Sequence, residues 1–265
     1  TVCKWSPFGD KFAVGSSDRV VAVCYYEAEN DWWVSKHLKK PLKSTITSID
    51  WHPNNVLLAA GSTDGHARVF SAYIKGLDSK PEPSVWGTKL PFQTLAGDFI
   101  NETGAWVHGV AFSPLGDALA FVSHDSSVFL VYPAGEGQPP SLILTVRTDN
   151  LPFLGVVFLS ENKLVAGGHN QTLVTFEGSA SDWKEIGAVE KAAGAPIKAA
   201  VVDEEAEISS HDALNMFRQM DLKGRVNKGR ENTTVHHNTI SSVKLYGPNQ
   251  VSTSGLDGKV GIFSV

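Results

Sequence analysis

The 265-residue chain is 42% hydrophobic and 19% charged, with a formal net charge of −5. No apolar run approaches the roughly 18 residues of a membrane span, two cysteines allow no disulfide framework or four-thiolate zinc site, and the mild acidity argues against a general nucleic-acid binder. No signal peptide is read at the start, so a reducing cytoplasm is the expected setting and membrane insertion is not.

Along the chain the first element, "VCKWSPFGDKFAVGSSD" (Val2–Asp18), sets a pattern that recurs in "SIDWHPNNVLLAAGSTD" (Ser48–Asp64) and "GVAFSPLGDALAFVSHD" (Gly109–Asp125). Trp5, Trp51 and Phe112 each precede an aspartate by 13 positions. The first copy opens inside a repeat, with nothing ahead of "TVCKW" to complete its blade, so N-terminal blades are expected to be absent from the chain. "DWWVSKHL" reads as a fourth strand, with Trp32 and Trp33 on opposite faces, one filling a blade interface and the other exposed as an anchor. "KHLKKPLK" is the one basic cluster. Lys36, Lys39, Lys40 and Lys43 are either a solvated strand and turn or a contact for an acidic partner, where clustered lysines raise association rate more than affinity.

The second and third copies are separated by a longer stretch, Lys75–Gly104, whose Pro81, Pro83 and Pro91 predict an extended loop. Two weaker copies follow, "GVVFLSENKLVAGGHN" (Gly155–Asn170) and "SVKLYGPNQVSTSGLD" (Ser242–Asp257). In every copy an apolar strand leads through a turn to a small-residue strand. The polar residue then sits in a tight turn, where its side chain can accept nearby backbone amides. Asp18, Asp64, Asp125, Asn170 and Asp257 are thus structural turn residues. Six residues on lies an apolar position of a third strand: Cys24, Phe70, Val131, Phe176 and Phe263. "SLILTVR" and "WKEIGAV" supply further fourth strands.

Between the last two copies lies an inserted arm, residues 191–236. Its stretch "SSHDALNMFRQMDLKGR" (Ser209–Arg225) predicts a helix over about 211–222, with Ala213, Met216, Phe217 and Met220 on one stripe and Leu214 widening it. A dozen-residue helix is marginal alone in water, so it needs a surface: the flank of its own domain or a partner.

Four short strands recurring every 40-odd residues are the period of a β-propeller blade, because one blade cannot bury both faces without neighbours. The predicted fold is all-β, a single WD40-type propeller over 1–265 with about five blades present. The WD40 pattern is imperfect: no third strand ends in Trp-Asp, and the usual Gly-His is missing. The stretch Lys11–Ile74, with "KPEPSVWGTKLPF", "GAWVHGVAFSPLGDALAFVSHDSSV", "HHNTISSV" and "TSGLDGKVGIFSV", resembles the family of propeller subunits (subunit 1) of the actin-related protein 2/3 complex. The resemblance implies seven blades, two of them before Thr1, and a non-catalytic role in nucleating branched actin filaments. It also implies other subunits of that complex, including actin-related proteins, as partners, together with nucleation-promoting factors and the mother actin filament. Location in the cortical actin cytoskeleton or leading edge follows from it. The family's arm engages actin, which points to Leu214, Met216, Phe217 and Met220 as contacts. A generic WD40 adaptor in another complex is the alternative.

Little else suggests chemistry. His236-His237 invites a metal reading, but adjacent histidines on a strand face opposite ways and no second cluster supports it; the family reading makes His237 the blade-opening residue. Asp203, Glu204, Glu205 and Glu207 read as a solvated acidic loop. There is no phosphate-binding glycine loop, HExxH or nucleophile elbow, and no cofactor is expected.

Overall fold

The computed structural model describes residues 2–88, 90–134, 141–189 and 234–265. Their strands form five antiparallel sheets, each a meander in which sequence neighbours pair. The first holds β1 (Val2–Trp5), β2 (Lys11–Gly15), β3 (Val21–Glu27) and β4 (Trp32–Leu38). The second holds β5 (Ile46–Trp51), β6 (Leu57–Ser62), β7 (His66–Ser71) and β8 (Leu95–Ile100). The third comprises β9 (Val107–Phe112), β10 (Leu119–Ser123), β11 (Ser127–Tyr132) and β12 (Leu142–Arg147). The fourth comprises β13 (Phe153–Ser160), β14 (Lys163–Gly168), β15 (Leu173–Ser179) and β16 (Asp182–Ala188). The fifth has three strands, β17 (Ile240–Gly247), β18 (Gln250–Gly255) and β19 (Val260–Ser264). No helix occurs among the described residues, and the predicted helix at 211–222 lies outside them.

This is propeller architecture, with two differences from the sequence reading. The first sheet is four-stranded from Val2, so that blade is complete; its fourth strand is the one that follows its third in sequence, not one that precedes β1. Part of the predicted extended loop is strand: β8 pairs with β7 over His66↔Ile100 to Phe70↔Leu95. The pattern of "LAGDFI" was weak because an outer strand keeps only Phe99 buried.

Strand position explains strand composition. β6, "LLAAGS", is buried throughout because sheets cover it on both sides, and small residues let those sheets approach. Adding a Cβ at Gly61 would place it 2.7 Å from Val107. β12, on the rim, alternates between exposed and half-buried positions.

The sheets pack face to face. Ala13, Val21 and Val23 of the first sheet meet Trp51, Leu58 and Phe70 of the second. Ala111, Ala120 and Val128 of the third meet Phe153, Phe158 and Phe176 of the fourth. At these two junctions the later sheet brings aromatics from its inner and third strands against small aliphatics, whereas Trp86 and Phe99 add aromatics from the earlier side of the second junction and Ile240 and Val243 serve the last. Each fully buried large side chain contributes about 1.5–3 kcal/mol of apolar transfer. Side chains of β5 also bond across junctions: Trp51 Nε1 donates to the Lys4 carbonyl at 2.9 Å, and Asp50 accepts the Phe112 amide at 2.7 Å.

Trp32 and Trp33 do point to opposite faces of β4, but both are more than half exposed and neither fills an interface among the described residues. Trp33 joins Trp5, Phe12 and Tyr26 in an aromatic cluster on the first sheet's uncovered face. Trp5 holds the place of Trp51 yet is 54% exposed against 5%, because no described sheet lies on that side.

One buried ion pair clamps the first junction. Lys11 Nζ bonds Asp78 at 2.6 Å, and Asn55 donates to both Asp10 and Asp78 at 3.1 Å. Burial pushes the Lys11 ammonium pKa down, while Asp78 opposes the shift. Removing one partner strands a buried charge, so Asp78→Ala should cost about 3–5 kcal/mol in urea unfolding. Lys11→Met combined with Asp78→Leu should recover most of that loss.

Candidate interaction surfaces

The turns between second and third strands gather Asp18, Asp64, Asp125, Asn170 and Asp257 at one end of the ring. Asp64, Asp125 and Asp257 each accept the amide two residues on, from His66, Ser127 and Lys259 at 3.1–3.3 Å. Around this shared bond each turn recruits different partners. Arg68, nearly fully buried, donates to Asp64 at 2.9 Å. Asn101 and Thr103 donate to Asp125, as does Ser123, which together hold its carboxyl below the usual range against the opposing effect of burial. Asn170 accepts the Leu151 amide at 2.9 Å, and the Asp18 amide donates to Ser16.

The fifth sheet has the fullest version. His236 is wholly buried and reaches Asp257 through Nδ1 at 3.2 Å and Thr253 through Nε2 at 2.6 Å. The sequence reading gave the blade-opening place to His237; that residue is exposed, and only its amide takes part, donating to Asp257 at 2.8 Å. Both histidines precede β17 rather than lying on a strand, so alternation did not apply to them. Among the described residues no three His, Cys, Asp or Glu side chains are grouped to hold a metal.

The four lysines of the basic cluster do not share a surface equally. Lys36, on β4, lays its ammonium 5.9 Å from the Tyr25 ring and 5.7 Å from the Phe92 ring, a cation–π site at the first junction. Lys39, Lys40 and Lys43 are exposed on the connection to β5, where buried Leu42 pins the loop. Leu214, Met216, Phe217 and Met220 lie outside the described residues, which stop at Val189 and resume at Thr234. Val189 and Val235 both pack against the core between the last two sheets, so the arm's roots sit together.

The five inner strands β1, β5, β9, β13 and β17 line an open cavity of about 690 Å³. Its walls carry Val110, Val156 and Val243, with Lys4 bonded to Asp50. No described cluster of acid, base and nucleophile converges there.

A WD domain, G-beta repeat, matches residues 34–71, which span β4 to β7. Actin-related protein 2/3 complex subunit 1 of Schizosaccharomyces pombe is 44% identical, over 100% of this chain and 73% of that relative. The chain belongs to the family of actin-related protein 2/3 complex subunit 1. Subunit 1A-B of Xenopus laevis is 42% identical over 99% of the chain and 69% of its own length. Subunit 1 of Saccharomyces cerevisiae is 38% identical over 100% of the chain and 71% of its own length. In this family member, sequence reasoning missed His236 and Asn101 because both lie in connections, where position is set by the partner turn and not by strand period.

The amide of His237 first, then that of Lys259 and the His236 ring, hold the Asp257 carboxyl far below its ordinary value of 3.8. A depressed native pKa supplies stability that is full above the unfolded value and is lost as pH falls toward the native one. Amide exchange at Val251 and Thr253 should therefore accelerate as pH drops below about 4, relative to intrinsic rates. Asp257→Asn should exchange faster at neutral pH and lose that acid dependence.

Proposed function

We propose that this chain is a non-catalytic WD-repeat subunit of the actin-related protein 2/3 complex, cytoplasmic and associated with the actin cytoskeleton. The supporting observation is identity of 38–44% to subunit 1 proteins over the whole chain, joined to a ring of sheets whose buried surface is devoted to packing. In this reading it scaffolds nucleation of branched filaments, meeting nucleation-promoting factors and the mother filament. Tagged and purified from its host, it should bring two actin-related proteins and further small subunits in fixed stoichiometry. Recovery in a different complex would instead support a WD40 adaptor.

The uncovered aromatic face of the first sheet favours a ring continued by further blades, since Trp51, Phe112 and Phe158, at the place of Trp5 in the next three sheets, are all buried. In the purified assembly Trp5 should then resist oxidation. The arm's stripe, Leu214, Met216, Phe217 and Met220, is the proposed filament contact, and Lys39, Lys40 and Lys43 the contact for an acidic activator segment. Lys36 is committed to Tyr25 and Phe92 and is left out of that contact. Phe217→Asp with Met220→Asp should lower branch density in a purified actin assay while leaving the complex intact; unchanged branching overturns the arm's role. Lys39→Glu, Lys40→Glu and Lys43→Glu together should slow activator association, most at low salt.

A further inference from the structure

The connection from β7 to β8, residues 72–94, runs as a strap across three sheets at the end of the ring away from the aspartate turns. Leu77 and Phe92 pack against the core between the first and second sheets, whereas Trp86 enters the core between the second and third. A side-chain bond holds each end. Asp78 binds Lys11 of the first sheet, and Trp86 Nε1 donates to the Gly116 carbonyl of the third at 2.7 Å. Among residues 79–88 Trp86 alone is buried, so it is the principal anchor of that end.

One turn of the second sheet, residues 52–57, touches both ends. Asn55 Nδ2 donates to Asp78 at 3.1 Å, and His52 Nε2 lies 3.1 Å from the same Gly116 oxygen that Trp86 uses. The tautomer of His52 follows from its bonds. Nδ1 accepts the Asn54 amide at 3.0 Å, so the proton sits on Nε2 and is donated to Gly116. Both nitrogens are thus engaged in the neutral ring, and a proton added at Nδ1 would set N–H against the Asn54 N–H. Asn54 in turn accepts the Val56 and Leu57 amides at 2.9 and 3.1 Å, so the displacement would spread through the turn. The site is also tight: a Cβ on Gly116 would stand 2.0 Å from His52 Nε2. Burial foremost lowers the His52 pKa, against the Gly116 carbonyl and the Asp117 and Asp50 carboxylates, which raise it. Asp50 shares β5 with His52 and is bonded to Lys4 and the Phe112 amide, and Asp117 follows Gly116 in its turn. Trp86 and Phe112 bring no charge, and Lys80 and Glu82 of the strap are exposed.

We propose that His52 and Trp86 form an acid-released latch, in which protonation of the imidazole frees the Trp86 end of the strap from the Gly116 turn while the Asp78 end stays clamped. The imidazole and the indole share one carbonyl and both stand edge-on to the Phe112 ring, so a charged His52 reaches water by displacing Trp86. In the closed form the ring is neutral, and in the released form it takes its ordinary charge. The stability that His52 gives the closed strap is full above the ordinary histidine value of 6.5 and is lost as pH falls from there toward the lowered native one. Release bares the indole and the edge of the junction beneath it. The latch belongs to the ring itself and stands apart from the partners proposed above.

The test is hydrogen exchange of the intact purified protein, read by mass spectrometry from about pH 7.5 to about pH 5.5 and divided by intrinsic rates. Amides of residues 54–57 and 84–87 should accelerate together as pH falls below 6.5, by up to about tenfold per pH unit for one proton. β15, in the fourth sheet, should hold its rate. His52→Gln can still donate to Gly116 but takes no proton, so its corrected rates should be flat over the same range. Trp86→Phe loses the bond to Gly116 and keeps the imidazole; it should exchange about two- to tenfold faster at neutral pH, the worth of one hydrogen bond, and retain the acid step. Flat rates in the unaltered protein overturn the latch, and so does acceleration that includes β15, which is global unfolding. An acid step that survives in His52→Gln belongs to another group and overturns the role of His52. Unchanged neutral exchange in Trp86→Phe overturns the latch even if His52→Gln fails to fold. None of these outcomes bears on which assembly the chain joins.

Discussion

The whole arrangement depends on the need of each sheet to bury two faces while owning only one half of each junction. A four-stranded meander leaves both faces apolar, so it is stable only when a neighbour covers each. At the first and third junctions small aliphatics of one sheet receive aromatics of the next. The first sheet leaves Trp5 and Trp33 more than half exposed because no described sheet covers that face.

Against that apolar background the polar groups hold orientation. Side chains of β5 reach backbone on both sides, through Trp51 to Lys4 and through Asp50 to Phe112. Such bonds add little net energy when fully made, about 0.5–1.5 kcal/mol each, but an unmade one would be costly in a buried junction. They therefore fix register between neighbouring blades. The aspartate turns act likewise at one end of the ring, and the differences among them matter. His236 ties the stretch just before β17 to the last sheet.

Most strand residues are consumed by packing, and Asp64, Asp125 and Asp257 by their own turns. The exposed lysines after β4 depart from the repeat and lie in a connection, where side chains can change without disturbing the junctions.

The fold class was legible because the repeat ruler counts residues between buried positions, and those positions are dictated by strand period and sheet spacing. Trp51, Phe112 and Phe158, the turn residues and most strands followed from it. β8 escaped because a rim strand keeps only one buried residue, too few to show a period. The completeness of the first blade, the inward turn of Lys36 and the roles of His236 and Asn101 also escaped, because a neighbouring sheet or turn decides them. Sequence by itself determined that this chain builds repeated, mutually covering β-sheets and which family it resembles. Tertiary structure alone decided which apolar faces stay open and which ionisable groups are spent on packing. Burial and pairing are properties of two surfaces together, and a sequence lists only one surface at a time.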